Sequence, residues 1–197
     1  MNKIICLVGM CGGGKSVVGD ILKEKGFGYA RFGDLTDDVL FGRRPEIAKK
    51  IGMQVPTERS EASERQVREG VRKVYGMDAY AKLNVSKFDV LLEKGDLVAD
   101  GLYSWEEYKV LKEHYGKRIL IVAVLTSPAI RYKRLANRQI RPLTAEESKS
   151  RDFAEIENLN KGGPIAMSDY YIINNFSFEF LQKEIENFLR WLKDVKT

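Results

Sequence analysis

One stretch constrains this chain more than any other: Gly9-Met10-Cys11-Gly12-Gly13-Gly14-Lys15-Ser16, a G-x-x-x-x-G-K-[ST] sequence. A short apolar run, residues 3–8, leads into it and reads as a strand buried on both faces. Residues 17–25 follow as a helix, with Val17, Val18, Ile21 and Leu22 on one face and Gly26 as its stop. Glycines let the backbone turn tightly enough for successive N–H groups to point at one anion. The helix N-terminus adds the positive end of its dipole at the same spot. In such a phosphate-binding loop Lys15 reaches the β- and γ-phosphates and the Ser16 hydroxyl ligates Mg²⁺. An ordinary glycine-rich turn is the competing reading, and the matched strand and helix on either side weigh against it. The expected nucleotide contacts are Gly9, Met10, Cys11, Gly12, Gly13, Gly14, Lys15, Ser16 and Val17.

Further short strands are expected at 29–32, 97–101, 118–125 and 170–174. Between them lie helical patterns. One begins near Ser60 with Val67, Val71 and Val74 on a face, and one follows Asp78 with Leu83, Val85, Phe88, Leu91 and Leu92. Others cover 105–115, 129–138 and 178–192, and Thr144 with Glu147 forms a capping box. Gly162-Gly163-Pro164 reads as a turn. Strands alternating with helices in this way mean an α/β fold with a parallel sheet covered on both faces. Its ligands belong at the carboxyl ends of the strands.

With 197 residues the chain fits one domain with a full core. No apolar stretch approaches the roughly 20 residues that cross a bilayer, and the start does not read as a signal peptide. A cytoplasmic protein without a membrane partner is therefore expected. Cys6 and Cys11 make neither a disulfide framework nor a zinc site. Cys6 reads as a core residue, and Cys11 as a plain loop residue, with a redox-sensitive thiol as the alternative. The single histidine, His114, is expected at a solvent-facing helix end. The net charge of +5 suits a polyanionic ligand without implying nucleic acid, which is not expected as a partner.

Asp100 ends a strand toward the same edge as the loop, where an acid holds Mg²⁺ through water or accepts the proton of an attacking hydroxyl; a turn aspartate is the plainer reading. Asp34 has the same ambiguity. Arg131, Arg134 and Arg138 recur at helical spacing, and Arg141 and Arg151 extend the group. Arginines that close over a moving phosphoryl group stabilise its charge and exclude water. A solvated basic face is the alternative.

These features together resemble the nucleoside monophosphate kinase group of P-loop proteins. They are most similar to the adenylate-kinase-related and dephospho-coenzyme-A-kinase-like nucleotide kinases of archaeal type. The resemblance rests on the loop, Gly33-Asp34, Asp100-Gly101 and Ser127-Pro128-x-x-Arg131-x-x-Arg134-Leu135-x-x-Arg138. Pro56-Thr57, Arg72-Lys73-Val74-Tyr75-Gly76, Arg151-Asp152 and Ser168-Asp169-Tyr170-x-Ile172-x-Asn174 add to it, so that it spans nearly the whole chain. It implies a P-loop NTPase three-layer sandwich whose five parallel strands run in the order 2-3-1-4-5. It also implies a core of 1–33, 94–130 and 165–197, a helical acceptor-binding lobe at 34–93 and a short lid at 131–151. By the same resemblance, ATP with Mg²⁺ is the donor and a small phosphorylated molecule the acceptor. Lys15 and Ser16 hold the donor phosphates and metal, Asp100 organises the metal's waters, and Arg134 and Arg138 clamp the transferring group. Asn174 and Asn175 lie near the donor base, and Gly33, Asp34 and Gly101 face the acceptor.

Two positions depart from the pattern. Thr36-Asp37-Asp38 and Leu102-Tyr103 stand where such kinases often carry arginines that grip the acceptor. Arg72, or Arg68 one turn earlier, is the expected substitute. The first functional expectation is an ATP-dependent kinase of a nucleoside monophosphate, ahead of dephospho-coenzyme A, for which Asp34 would serve as general base. A regulatory nucleotide-binding protein with slow ATPase activity is the second. A nucleic-acid-associated ATPase, resting only on the basic balance, is the third.

Overall fold

β1 (Ile4–Val8) is apolar and buried at every position because both of its faces are covered. Side chains alternate across a strand. Ile4, Cys6 and Val8 accordingly join one core, while Ile5 and Leu7 join another on the opposite face. The structure, a computed structural model, describes residues 1–140 and 142–196. Around β1 lie β2 (Gly28–Arg31), β3 (Leu97–Asp100), β4 (Ile119–Leu125) and β5 (Tyr170–Ile173), every pairing parallel, in the order β2-β3-β1-β4-β5. This is the expected P-loop kinase sheet. Because β1 is central, its carboxyl end opens between those of β3 and β4, with Leu7 in register with Asp100 and Val8 with Ala123.

One face is covered by α1 (Lys15–Glu24) and α10 (Phe178–Lys196). On α10, Leu181, Ile185, Phe188 and Leu192 recur at helical spacing and are buried against Leu120, Val122 and Ile172. Burying one such side chain contributes about 1.5–3 kcal/mol. On α1, Val18 and Leu22 point inward, whereas Val17 is exposed: the inward stripe is narrower than the sequence suggested.

The other face carries α2 (Asp34–Leu40), α3 (Pro45–Lys50), α4 (Glu61–Tyr75), α5 (Ala79–Lys94) and α6 (Trp105–Tyr115). Their buried residues, among them Leu35, Val39, Val67, Val71, Phe88 and Leu111, are continuous with the core on that side of the sheet. Val74, expected beside Val67 and Val71, faces solvent in the last turn of α4. Asp78 stands at the head of α5 but pairs with Lys82 instead of capping. His114 is exposed on α6, as expected, with Asp89 at 3.4 Å.

Past β4, α7 (Pro128–Ala136) and α8 (Ala145–Glu157) follow, the latter opening with the Thr144–Glu147 capping box. The Gly162-Gly163-Pro164 turn is in fact a short helix, α9 (Gly162–Ala166). It packs so closely on α6 that a Cβ on Gly163 would lie 2.8 Å from the Trp105 ring. No helix among the described residues is long and apolar enough to cross a membrane.

Candidate functional site

The loop between β1 and α1 takes the conformation its glycines permit. Gly14, at the head of α1, has φ +92°, and a Cβ there would lie 2.2 Å from Asn174 Nδ2. Gly9 has φ +147°, with Val124 O 2.5 Å from where a Cβ would be. Both positions need glycine for conformation and for space. The Lys15 ammonium folds back over the loop and donates to Gly9 O at 2.8 Å and Met10 O at 3.2 Å. Burial pushes its pKa down, as does the neighbouring Lys161, against the pull of Tyr103, Asp100 and Glu155.

Asp100, at the end of β3, accepts from Ser16 Oγ at 3.2 Å and from the Tyr29 hydroxyl at 3.0 Å, both on Oδ2. Its Oδ1 is buried with no hydrogen-bond partner among the described residues. A hydroxyl beside a carboxylate with one uncommitted oxygen fits Mg²⁺, which takes one or two protein groups together with waters and substrate phosphates. Among the described residues no group of three or more His, Cys, Asp or Glu forms a dedicated metal cage. Tyr29 was not foreseen. Burial and Asp100 push its phenol pKa up, so it remains a donor that orients the carboxylate.

Arg131 and Arg134 share α7 and both reach toward the loop, whereas Arg138 does not join them. Arg131 is buried and holds Asp152 of α8 with both terminal nitrogens, at 2.8 and 2.6 Å. It also donates to Cys11 O in the loop at 3.1 Å and to Thr126 O at 3.1 Å. Arg131 is thus a structural tie between loop, β4 end and α8. Arg134 donates to Asn174 O at 3.0 Å. Its Nη1 is buried with no hydrogen-bond partner among the described residues, 4.0 Å from a Cβ built on Gly14. Arg138 lies beyond the end of α7 and is exposed. Arg151 pairs with Glu155 at 3.3 Å, and Arg141 lies outside the described residues.

Asn174 and Asn175 bind protein here. Asn174 Nδ2 donates to Gly13 O at 2.9 Å, where Thr126 Oγ1 also donates, and Asn175 Oδ1 accepts from Ser127 N at 2.8 Å. These bonds buttress the loop and fix the start of α7.

On the side of β3 away from β1, Asp34 accepts from Arg31 N, Arg31 Nε and Lys87 Nζ at 2.8–3.0 Å. Burial opposes ionisation there, yet Lys87 and Arg31 hold its carboxyl below the usual carboxylate range. Gly33 is exposed and a Cβ on it would meet nothing within 4 Å. Gly101 has φ +94°, which turns the chain out of β3 into Tyr103. Asp37, standing where an acceptor arginine was looked for, pairs with Arg31 at 2.9 Å and Arg59 at 3.5 Å. Arg72 is directed inward: its guanidinium lies 4.9 Å from the Tyr80 ring centroid and 3.7 Å from Glu107 Oε1. Arg72 Nε and Glu107 Oε1 are both buried without a hydrogen bond among the described residues. Arg68 meets Glu64 at 3.2 Å and is more open.

Glu107 and Lys161 were not singled out in the sequence, and Tyr103 was noted only for standing where an acceptor arginine is expected. Glu107 caps α6 by accepting from the Tyr103 and Ser104 amides, a capping box legible as Ser104-x-x-Glu107. Lys161 carried no periodic signal; only the glycines after it hinted at close packing.

Residues 5–154 match the family model described as AAA domain. The chain is 34% identical over 187 residues to a UPF0200 protein of Thermococcus gammatolerans, covering 93% of this chain and 92% of that one. The fold is similar to that of TT1252 from Thermus thermophilus, with a TM-score of 0.66 at 18% identity over 97% of this chain and 98% of that one. It is also similar to dephospho-CoA kinase from Campylobacter jejuni, with a TM-score of 0.60 at 14% identity over 100% of both chains. At such identities the two structures share the fold alone. The sequence matches go further, and by them the chain belongs to the AAA domain family and to the UPF0200 proteins.

Proposed function

We propose that this protein transfers the γ-phosphoryl group of Mg·ATP to the phosphate of a nucleoside monophosphate. One observation carries the reading. Lys15, the Ser16–Asp100 pair with its uncommitted Oδ1, and the unpartnered Nη1 of Arg134 meet around one loop at the carboxyl edge of the sheet. A guanidinium nitrogen and a carboxylate oxygen, each buried without a hydrogen-bond partner among the described residues, are complementary to phosphate oxygens and to a metal respectively. Mg²⁺, when bound, neutralises charge across the β- and γ-phosphates. Lys15 exchanges its carbonyl partners for phosphate oxygens, and Arg134 turns Nη1 onto the transferring group. Asp100, oriented by Tyr29, would hold the metal through its waters. The bond from the γ-phosphorus to the β,γ-bridging oxygen breaks, its electrons leaving with ADP, as an acceptor oxygen bonds to phosphorus.

An ionised phosphate acceptor needs no proton removed, whereas a hydroxyl acceptor needs a base. Asp34, the base that dephospho-coenzyme A would require, has its oxygens engaged by Arg31 and Lys87, whose lowering of its pKa makes it a weaker base. This favours the monophosphate. In the same reading α2 to α5 form the acceptor lobe, with Arg72 as its inward cation, and residues 131–151 belong to the lid. A slow regulatory ATPase fits less well, because nucleotide binding alone does not call for the buried, unpartnered nitrogen of Arg134.

The test is ADP release from Mg·ATP against ribo- and deoxynucleoside monophosphates and dephospho-coenzyme A, each beside a blank without acceptor. Stimulation by one monophosphate is expected, and loss of about 10²-fold or more in Lys15→Ala. A flat panel, or Lys15→Ala at the wild-type rate, would refute the assignment.

A further inference from the structure

Lys161 is fully buried, at 0% exposure, in the turn between α8 and α9. Lysine is almost never buried so completely unless paired. Its Nζ lies 2.7 Å from Glu155 Oε2 and 3.9 Å from the centroid of the Tyr103 ring. The other oxygen of Glu155 takes Arg151 Nε at 3.3 Å. These groups border the phosphate loop. Asp152, on the same face of α8 as Glu155, is joined through Arg131 to Cys11 O, and Tyr103 follows the Gly101 turn out of β3.

The charges do not balance locally. Lys15, Lys161 and Arg151 bring three cations toward two carboxylates, Glu155 and Asp100, the latter hydrogen-bonded only to the neutral hydroxyls of Ser16 and Tyr29. After burial, Lys161 is the largest influence pushing the Lys15 pKa down. Buried cations in excess of their partners are stabilised by an anion placed between them. Phosphoryl transfer supplies one, spreading charge over three equatorial oxygens.

We infer that Lys161 is a second phosphate-binding lysine, whose ammonium leaves Glu155 to bind the transferring phosphoryl group together with Lys15. The inference rests on the phosphoryl-transfer reading above. Glu155 then stands in for the phosphate oxygens as the partner of the ammonium. Tyr103 gives the ammonium an aromatic face to slide on as it changes partner.

The test compares wild type, Lys161→Met and the double variant Glu155→Gln/Lys161→Met. Each is followed by thermal melting, by calorimetric binding of Mg²⁺ with the non-hydrolysable β,γ-imido analogue of ATP, and by kcat with the stimulating monophosphate. Lys161→Met leaves Glu155 short of a partner, and the double variant removes that defect. The expected result is a kcat lowered about 10²-fold in both variants, with the analogue still bound by the double variant and its melting temperature restored. Recovery of kcat along with stability in the double variant would make Lys161 a structural residue and overturn the inference alone. So would a wild-type kcat in Lys161→Met. If the wild type transfers phosphate to no acceptor, the reading beneath it falls as well.

Discussion

Replacing Asp152 by alanine removes the carboxylate that the Arg131 guanidinium holds with two bonds, and with it the acceptor of the Tyr132 hydroxyl. The two side chains of the pair are only 4% and 9% exposed, so water cannot replace what is lost. Breaking a buried pair by deleting one partner costs about 3–5 kcal/mol, because the remaining charge stays buried. For a chain of this size each kcal/mol shifts the melting temperature by about 2–4 °C, so the expected drop is about 6–20 °C. The exposed Arg65–Glu69 pair, at 69% and 66%, supplies the contrast: Glu69→Ala is expected to cost about 0.5 kcal/mol or less. Urea unfolding followed by circular dichroism measures both variants on one scale. Because Arg131 also holds Cys11 O, Asp152→Ala is further expected to weaken Mg·ATP binding, although Asp152 need not touch nucleotide. An Asp152→Ala variant within about 1 kcal/mol of wild type would refute the claim that this pair ties α8 to the loop.

Gly14→Ala places a Cβ 2.2 Å from Asn174 Nδ2 at φ +92°; calorimetry should find Mg·ATP binding lost, with about 1–2 kcal/mol of stability lost to the backbone alone. Thr144→Ala removes the acceptor of the Glu147 amide at the head of α8 and should cost about 1 kcal/mol in urea unfolding. Burial opposes ionisation of Glu155, but Lys161 and Arg151 hold its pKa below the ordinary 4.5. A depressed carboxyl contributes stability above its unfolded pKa and loses it as pH falls through the folded one. The gap in melting temperature between wild type and Glu155→Gln should therefore be constant near neutrality and close as pH drops below 4.5; a gap that widened in acid would contradict the pairing.

The parallel sheet was legible because the strands are apolar runs alternating with helices, and its order followed from the resemblance to P-loop kinases. The loop itself, Ser16 and Asp100 were legible for the same reason: each is tied to a strand end whose position the fold dictates. The roles of the arginines were not. Helical spacing put Arg131, Arg134 and Arg138 together, but α7 ends at Ala136, and the partner that buries Arg131 is Asp152, across a helix connection. Spacing along one helix reports which residues share its surface and nothing about what packs there. Asn174 and Asn175 follow the last strand as expected, yet their amides hold Gly13 and Ser127. Lys161 escaped notice, and Tyr103 was noted only in place of an arginine, because each reads as a loop residue until the turn after β3 and the end of α8 are brought against each other. Asp34 sits where Gly33-Asp34 suggested, and only the positions of Arg31 and Lys87 reveal that its oxygens are occupied.

Transfer of a phosphoryl group by the loop, Asp100 and Arg134 to an acceptor phosphate, and not to water, can be followed directly. Phosphorus-31 magnetic resonance of Mg·ATP incubated with the protein and the stimulating monophosphate follows each phosphate separately. The γ-resonance is expected to fall as a new terminal diphosphate resonance on the acceptor rises in equal amount, with little inorganic phosphate. Inorganic phosphate growing at the rate of ATP loss, with the acceptor resonance unchanged, would contradict it and make the protein an ATPase.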